Sequence, residues 1–266
     1  MAFDDDTALH PSANGTLEGE ISETWWTPRG PLGGYVMALL QRGMEMAVDE
    51  PGRQARSTTV HFLRPPQAGA VTVRPVVERQ GRSLSTVSAR LDQDGETLAM
   101  ALGAFSSPWE SPLLDETPPP GEVEPPGPRE PSAGPGGREP PPFTCLLTMQ
   151  PRFGELPFTR ADESLVGGWL GLVEERPVDA LTILVLADAW YPAPWPRLAA
   201  LAPAPTVEMT VHFRAPLPLA DSVLLGRFRS RLVRDGFFDE EGELWSPDGT
   251  LVAGSRQLGL LLGAER

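Results

Sequence analysis

The stretch Thr59-Val-His-Phe-Leu-Arg-Pro65 occurs again, nearly unchanged, as Thr210-Val-His-Phe-Arg-Ala-Pro216, which lies 151 residues further along the chain. Each copy is rich in the β-branched and aromatic residues that favour a strand. Further on, Asp94-Gly95 in the first half is matched by Asp248-Gly249 in the second half, at a slightly larger offset. Matches in the same order and at a nearly constant offset indicate that the two halves arose by duplication.

A segment rich in proline and glycine separates the two halves. It covers Thr117–Pro142 and reads TPPPGEVEPPGPREPSAGPGGREPPP. This composition has no apolar period and favours an extended linker or a surface excursion. We therefore predict an N-terminal module over residues 1–116, a linker over 117–142 and a C-terminal module over 143–266.

Each half contains one amphipathic helix and a succession of strands. In the first half, a helix that begins at Gly33-Gly34 has apolar residues three and four positions apart. It is followed by predicted strands at Ser57–Arg64, Ala70–Arg79, Ser83–Asp92 and Glu96–Phe105. The second half has predicted strands at Phe143–Phe153 and Ser164–Leu172, a helix from about Pro177, and strands at Thr206–Arg214, Ser222–Val233, Gly236–Ser246 and Leu251–Leu262. This order predicts an α+β double hotdog, in which an antiparallel sheet wraps around long helices and the two modules pair edge to edge.

Composition limits the classes of function. The formal charge is −14, and all 22 basic residues are arginine, so bulk attraction to nucleic acid or to an anionic membrane is not expected. A single cysteine, Cys145, excludes an internal disulfide and a cysteine-based metal site. The sequence shows no signal peptide and no apolar run long enough to span a bilayer. We therefore expect a cytoplasmic protein that uses no metal and no cofactor.

Several short motifs, in this order and spacing, resemble the acyl-CoA thioesterase II (TesB-like) family of double-hotdog proteins. They include Leu32-Gly-Gly-Tyr35, Arg79-Gln-Gly-Arg-Ser83, Pro205-Thr206, and Ala253-Gly-Ser-Arg-Gln257. The resemblance implies hydrolysis of a fatty or other acyl-CoA, a role in lipid metabolism, and assembly as a homodimer or higher homo-oligomer. The linker is longer and more proline-rich than is usual in the family.

The resemblance also implies a catalytic set. The family holds a water molecule with an Asp, a Thr and a Gln, which correspond here to Asp188, Thr206 and Gln257. Asp188 interrupts an apolar helix, where burial would raise its pKa towards the range of a general base. The repeat places Ala55 and approximately Gly103 at the positions of Thr206 and Gln257 in the first half, so one active centre per chain is predicted. Simple alternation along the strand would put Thr206 on the face of Glu208, Thr210 and His212.

The predicted substrate-binding residues are Gly33, Gly34, Tyr35, Arg64 and Arg82. The two glycines at a helix start either present free N–H groups to a carbonyl or phosphate, or allow close packing. The two arginines are candidates for the phosphates of CoA, because a guanidinium group matches phosphate geometry. Solvated hairpin arginines are the alternative interpretation.

Other functions stay open at the level of sequence. A hotdog hydratase or dehydratase would need a histidine beside an aspartate, but His61 and His212 are repeat counterparts and are interpreted as structural. A non-catalytic acyl-CoA binding protein would keep the pocket without the chemistry. A structural or interaction protein would use the proline-rich segment as its contact site.

Overall fold

The computed structural model describes residues 3–50, 52–118, 120–133, 140–220 and 223–263. The N-terminal half contains α1 (Phe3–Asp6), β1 (Leu17–Ile21), α2 (Gly33–Val48), β2 (Gln54–Phe62), β3 (Gly69–Gln80), β4 (Leu84–Gln93) and β5 (Glu96–Ser106). The C-terminal half contains β6 (Leu147–Gly154), β7 (Leu165–Leu172), α3 (Ala180–Ala187), β8 (Thr206–Phe213), β9 (Leu224–Arg229), β10 (Phe237–Trp245) and β11 (Leu251–Leu260). Short two-residue strands at His10–Pro11, Trp26–Thr27, Gly30–Pro31 and Val233–Arg234, and 3-10 turns at Ala13–Gly15, Glu23–Trp25, Pro142–Leu146 and Trp195–Arg197, complete the described structure.

One antiparallel sheet runs through both halves, in the order β1-β3-β4-β5-β2-β8-β11-β10-β9-β7-β6. At its centre, β2 pairs with β8 and places Thr59 directly opposite Thr210. The two hydroxyl oxygens lie 2.9 Å apart. Because these threonines are repeat counterparts, the sheet continues outwards from them in equivalent order on both sides. The predicted α+β double hotdog, with its modules paired edge to edge, is confirmed.

The long helix α2 begins at Gly33, as predicted, and packs against α3 and against β3, β4 and β5. It ends at Val48, and its C-cap residue, Asp49, adopts a left-handed backbone conformation with φ 42°. All residues of α3 are buried, because this helix lies between α2 and the strands β7, β8 and β10. No helix among the described residues has both the length and the apolar character needed to cross a membrane.

The start of α3 differs slightly from the prediction, which placed it near Pro177. Asp179 is the N-cap and accepts a hydrogen bond of 2.9 Å from the amide of Thr182. Arg176 binds the same carboxylate with an N–O distance of 2.9 Å. The helix therefore begins at Ala180, where the capping side chain satisfies its free amides.

The described part of the proline-rich segment lies on the outer surface of the C-terminal module. From residue 107 to residue 141, the described part of the chain forms no helix or strand. Trp169 donates a hydrogen bond of 2.8 Å from its indole nitrogen to the carbonyl of Glu124, and the amide of Gly127 donates to Gln150 at 2.7 Å. Val123 packs against the cluster that contains Trp169. The described linker residues therefore follow β6 and β7 as an extended surface segment.

Candidate functional site

Asp188 follows the last residue of α3 and faces the N-terminus of α2. Its Oδ2 atom accepts a hydrogen bond of 2.7 Å from the amide of Gly34. Leu32, at the N-cap of α2, has no side chain that can accept such a bond. Asp188 therefore caps α2 from the other module, at the end where the helix dipole favours negative charge.

The glycine pair is required because the two helices touch at this point. A Cβ atom on Gly34 would lie 2.6 Å from the carbonyl oxygen of Leu184 and 2.8 Å from the Cα atom of Val185. A Cβ atom on Gly33 would lie 2.9 Å from Oδ2 of Asp188. Of the two interpretations of Gly33-Gly34, the structure supports close packing. It does not leave the Gly34 amide free for a substrate, because Asp188 occupies it.

Burial governs the ionisation of Asp188. Enclosure by protein raises the pKa of its carboxyl group from 3.8 to about 6, against the opposing effect of hydrogen bonds from Gly34 and Gly33. Part of the residue still touches solvent. A carboxyl group with this pKa is largely ionised at neutral pH and can accept a proton readily, as a general base must.

Thr206 and Gln257 meet on the inner face of the C-terminal sheet. The Nε2 atom of Gln257 donates a hydrogen bond of 2.5 Å to Oγ1 of Thr206. Gln257 is buried, with 8% of its surface exposed. With its amide nitrogen engaged by Thr206, Gln257 keeps its carbonyl oxygen as a hydrogen-bond acceptor.

A β-bulge brings the threonine to this face. Thr206 pairs with Gly259 and Glu208 with Leu258, so Val207 is an extra residue in β8. Such a bulge reverses the alternation of side chains beyond it. The prediction that Thr206 shares a face with Glu208 is therefore wrong.

A second buried acid, Glu240, lies beside these residues and was not predicted from the sequence. It is directly opposite Gln257 in the β10–β11 pair, is 7% exposed, and accepts a hydrogen bond of 2.6 Å from the amide of Ala193. Burial raises its pKa to about 7, and the negative charge of Asp188 adds to the increase. Glu240 thus lies opposite Gln257 in the sheet and also feels the charge of Asp188. The alternation of inward and outward side chains along β10 could have identified Glu240 from the sequence, because it places this residue on the inner face.

Two family models together describe most of the chain. Residues 22–106 match the acyl-CoA thioesterase N-terminal domain, and residues 116–261 match the acyl-CoA thioesterase C-terminal domain. The chain belongs to the acyl-CoA thioesterase family. This finding confirms the resemblance drawn from the sequence motifs.

Solved structures and known sequences are similar to nearly the whole chain. A hot dog fold protein of unknown function from Alicyclobacillus acidocaldarius is 28% identical to this thioesterase-family chain, with a TM-score of 0.80 over 98% of both chains. Acyl-CoA thioesterase II TesB2 from Mycobacterium marinum is 17% identical, with a TM-score of 0.75 over 100% of both chains, and supports the fold. An uncharacterised Mycobacterium tuberculosis protein is 25% identical over 273 residues, which cover 92% of this chain and 90% of the relative.

The remaining predicted substrate-binding residues of this thioesterase-family protein make no hydrogen bond to Asp188 within the described part of the chain. Tyr35 is fully buried and stacked on Trp25, and its hydroxyl donates a hydrogen bond of 2.7 Å to the carbonyl of Asp6. This placement gives Tyr35 a structural role in the N-terminal module. Arg64 and Arg82 are exposed, and Arg64 forms an ion pair with Glu96. These two arginines stay candidates for contacts with CoA at the surface.

Proposed function

We propose that this protein hydrolyses an acyl-CoA thioester to a free acid and CoA, with Asp188 as general base. The observation that carries the proposal is the Asp188 carboxyl group, whose pKa is raised by burial, in the same module as the hydrogen-bonded Thr206–Gln257 pair. Family membership supports the same reaction class. The hydrogen bond from the Gly34 amide fixes the orientation of the Asp188 side chain between the two modules.

The reaction proceeds in one attack without a covalent enzyme intermediate. Thr206 and Gln257 hold a water molecule, and Asp188 takes one of its protons while the oxygen attacks the thioester carbonyl. The resulting tetrahedral intermediate collapses, the carbon–sulfur bond breaks, and the CoA thiolate leaves and takes up the proton that Asp188 had accepted, which regenerates the base. A general base supplies on the order of 10²–10⁴-fold of such a rate enhancement.

The pH dependence should follow the ionisation of Asp188. Because the base must be unprotonated, kcat/KM should rise with pH through about 6, where the pKa of Asp188 lies. An unperturbed carboxyl group would place this rise about two pH units lower. Steady-state CoA release between pH 4.5 and 8.5 measures the inflection. A rise centred near pH 4 would contradict the role of a buried base.

Thr206 and Gln257 should act as one unit. We expect Thr206→Val and Gln257→Leu each to lower kcat about ten- to a hundredfold, because each leaves the water without one partner. The double variant should lose little more than either single one. Multiplicative losses in the double variant would show instead that the two side chains act independently.

The function itself is tested by following free CoA with a thiol reagent. Acyl-CoAs from short to long chain length serve as substrates, and the chain-length profile identifies the substrate class. Release catalysed by the wild-type protein supports the proposal. Tight acyl-CoA binding without release at any chain length would overturn it in favour of a non-catalytic binding protein, and turnover of an enoyl-CoA would favour a hydratase.

A further inference from the structure

Glu240 occupies a position at which the fold does not require an acid. In the C-terminal module, Glu240 lies opposite Gln257. In the N-terminal module, the equivalent pair of strands, β4 and β5, places Val87 opposite Gly103. Val87 is fully buried. An apolar side chain therefore satisfies the same architecture, and the buried carboxyl group needs a different explanation, since burial of an acid is costly.

The surroundings of Glu240 are polar on several sides. The Ala193 amide donates to its Oε2 atom at 2.6 Å. Gln257 is its cross-strand neighbour on one side. On the other side, β9 ends at Arg229, which pairs with Glu241, so the next residue, Ser230, continues the register towards Glu240. The hydroxyl of Ser230 is buried and makes no hydrogen bond to any described residue.

The charged groups around Glu240 leave Asp188 as its electrostatic partner. From the neighbouring strands, Arg256 is exposed and pairs with Asp239 and Glu241 on the outer face. Arg229, also on the outer face, pairs with Glu163, and Arg234 is exposed.

The loop after α3 adds two further titratable groups, Tyr191 and Arg197, and Arg197 is exposed. The Tyr191 hydroxyl donates to the carbonyl of Glu155. Within the described residues, no cation therefore neutralises Glu240, and the charge that acts on it is that of Asp188.

We propose that Glu240 is a positioning residue of the hydrolytic site, which orients Gln257 from the neighbouring strand and forms with Asp188 a coupled pair of carboxyl groups. This inference rests on the proposed function. Two carboxyl groups in one low-dielectric site resist ionising together, so the pair retains one proton at a pH where isolated carboxyl groups have lost theirs. The two protons are lost in two steps that belong to the pair rather than to either residue. Once both groups are ionised, the negative charge of Glu240 raises the affinity of Asp188 for the proton of the attacking water.

Three variants separate these effects. Glu240→Gln keeps an oxygen for the Ala193 amide but cannot ionise. We expect it to retain at least a third of the wild-type kcat near pH 6 and to lose a second rise of kcat/KM near pH 7. Glu240→Val introduces the residue that the N-terminal module has at the equivalent position, Val87. It removes both the acceptor for the Ala193 amide and the ionisable group, so kcat should fall about ten- to a hundredfold with a smaller change in KM. Glu241→Gln, on the adjacent outward-facing residue, is the control and should match the wild type.

A direct titration keeps the inference independent of turnover. Carbon-13 NMR of labelled carboxyl groups, assigned by difference in Asp188→Asn and Glu240→Gln, reports both ionisations without substrate. The pKa of Glu240 should fall in Asp188→Asn, because the charge that raises it is gone. An unchanged Glu240 titration, together with identical pH profiles for Glu240→Gln and wild type, would overturn the inference. Absence of CoA release with coupled titrations intact would instead count against the proposed function alone.

Discussion

Asp188→Asn should lower kcat for CoA release by about 10²–10⁴-fold, and at pH 8 the variant should be more stable than the wild type. Asparagine keeps an oxygen that can accept the hydrogen bond from Gly34, but it cannot take a proton from water. The loss of activity would therefore not arise from loss of the contact between the helices. CoA release at saturating acyl-CoA measures kcat, and urea unfolding measures stability on the same samples.

The sign of the stability change follows from the raised pKa of Asp188. Its pKa is about 6 in the folded protein and near 3.8 when unperturbed, so the folded state binds the proton more tightly. The wild type therefore loses stability as pH rises from about 4 to about 6, and asparagine, which resembles the protonated form, avoids that loss. We expect a gain on the order of 1–3 kcal/mol above pH 6 that disappears below pH 4.

The alternative role of Asp188 predicts the opposite result. If the carboxylate were only a stabilising cap for α2, Asp188→Asn would lower the free energy of unfolding by about 1 kcal/mol. Activity would then fall only in proportion to the folded fraction. A variant that is less stable and retains near-normal kcat would thus remove Asp188 from the chemistry.

Gly34→Ala should destabilise the protein by about 1–3 kcal/mol and impair the site as well. The new Cβ atom would meet the carbonyl oxygen of Leu184 and the Cα atom of Val185, and backbone atoms cannot swing aside as a flexible side chain can. The two helices must therefore separate, which moves Asp188 relative to the amide that orients it. Urea unfolding and CoA release, measured together, should both show the loss.

Gly254→Ala is the matched control for this substitution. A Cβ atom on Gly254 would have its nearest neighbour, the carbonyl oxygen of Gly242, at 3.9 Å, which is an ordinary contact. We expect a change of less than about 0.5 kcal/mol and unchanged turnover. If Gly34→Ala behaved like this control, the contact between α2 and α3 would not restrict the site as the structure indicates.

Much of the architecture could be predicted because duplication and periodicity are local properties of the chain. The repeat of Thr59–Pro65 as Thr210–Pro216 indicated two equivalent modules, and the structure pairs them through Thr59 and Thr210. The same repeat identified Ala55 and Gly103 as nonpolar counterparts of Thr206 and Gln257. The observed strand pairings bear out this correspondence, including a register shift after Ala55 like that after Thr206.

What the sequence determined by itself was the order of helices and strands, the division into modules and the residue types available for hydrolysis. Tertiary structure alone decided how these residues meet. The bulge at Val207 turns Thr206 towards Gln257, and contact between the helices gives the Gly34 amide to Asp188. The pairing of β10 with β11 buries Glu240 opposite Gln257. Each of these depends on strand register or on close approach between distant segments, and such long-range geometry leaves no periodic signal in the chain.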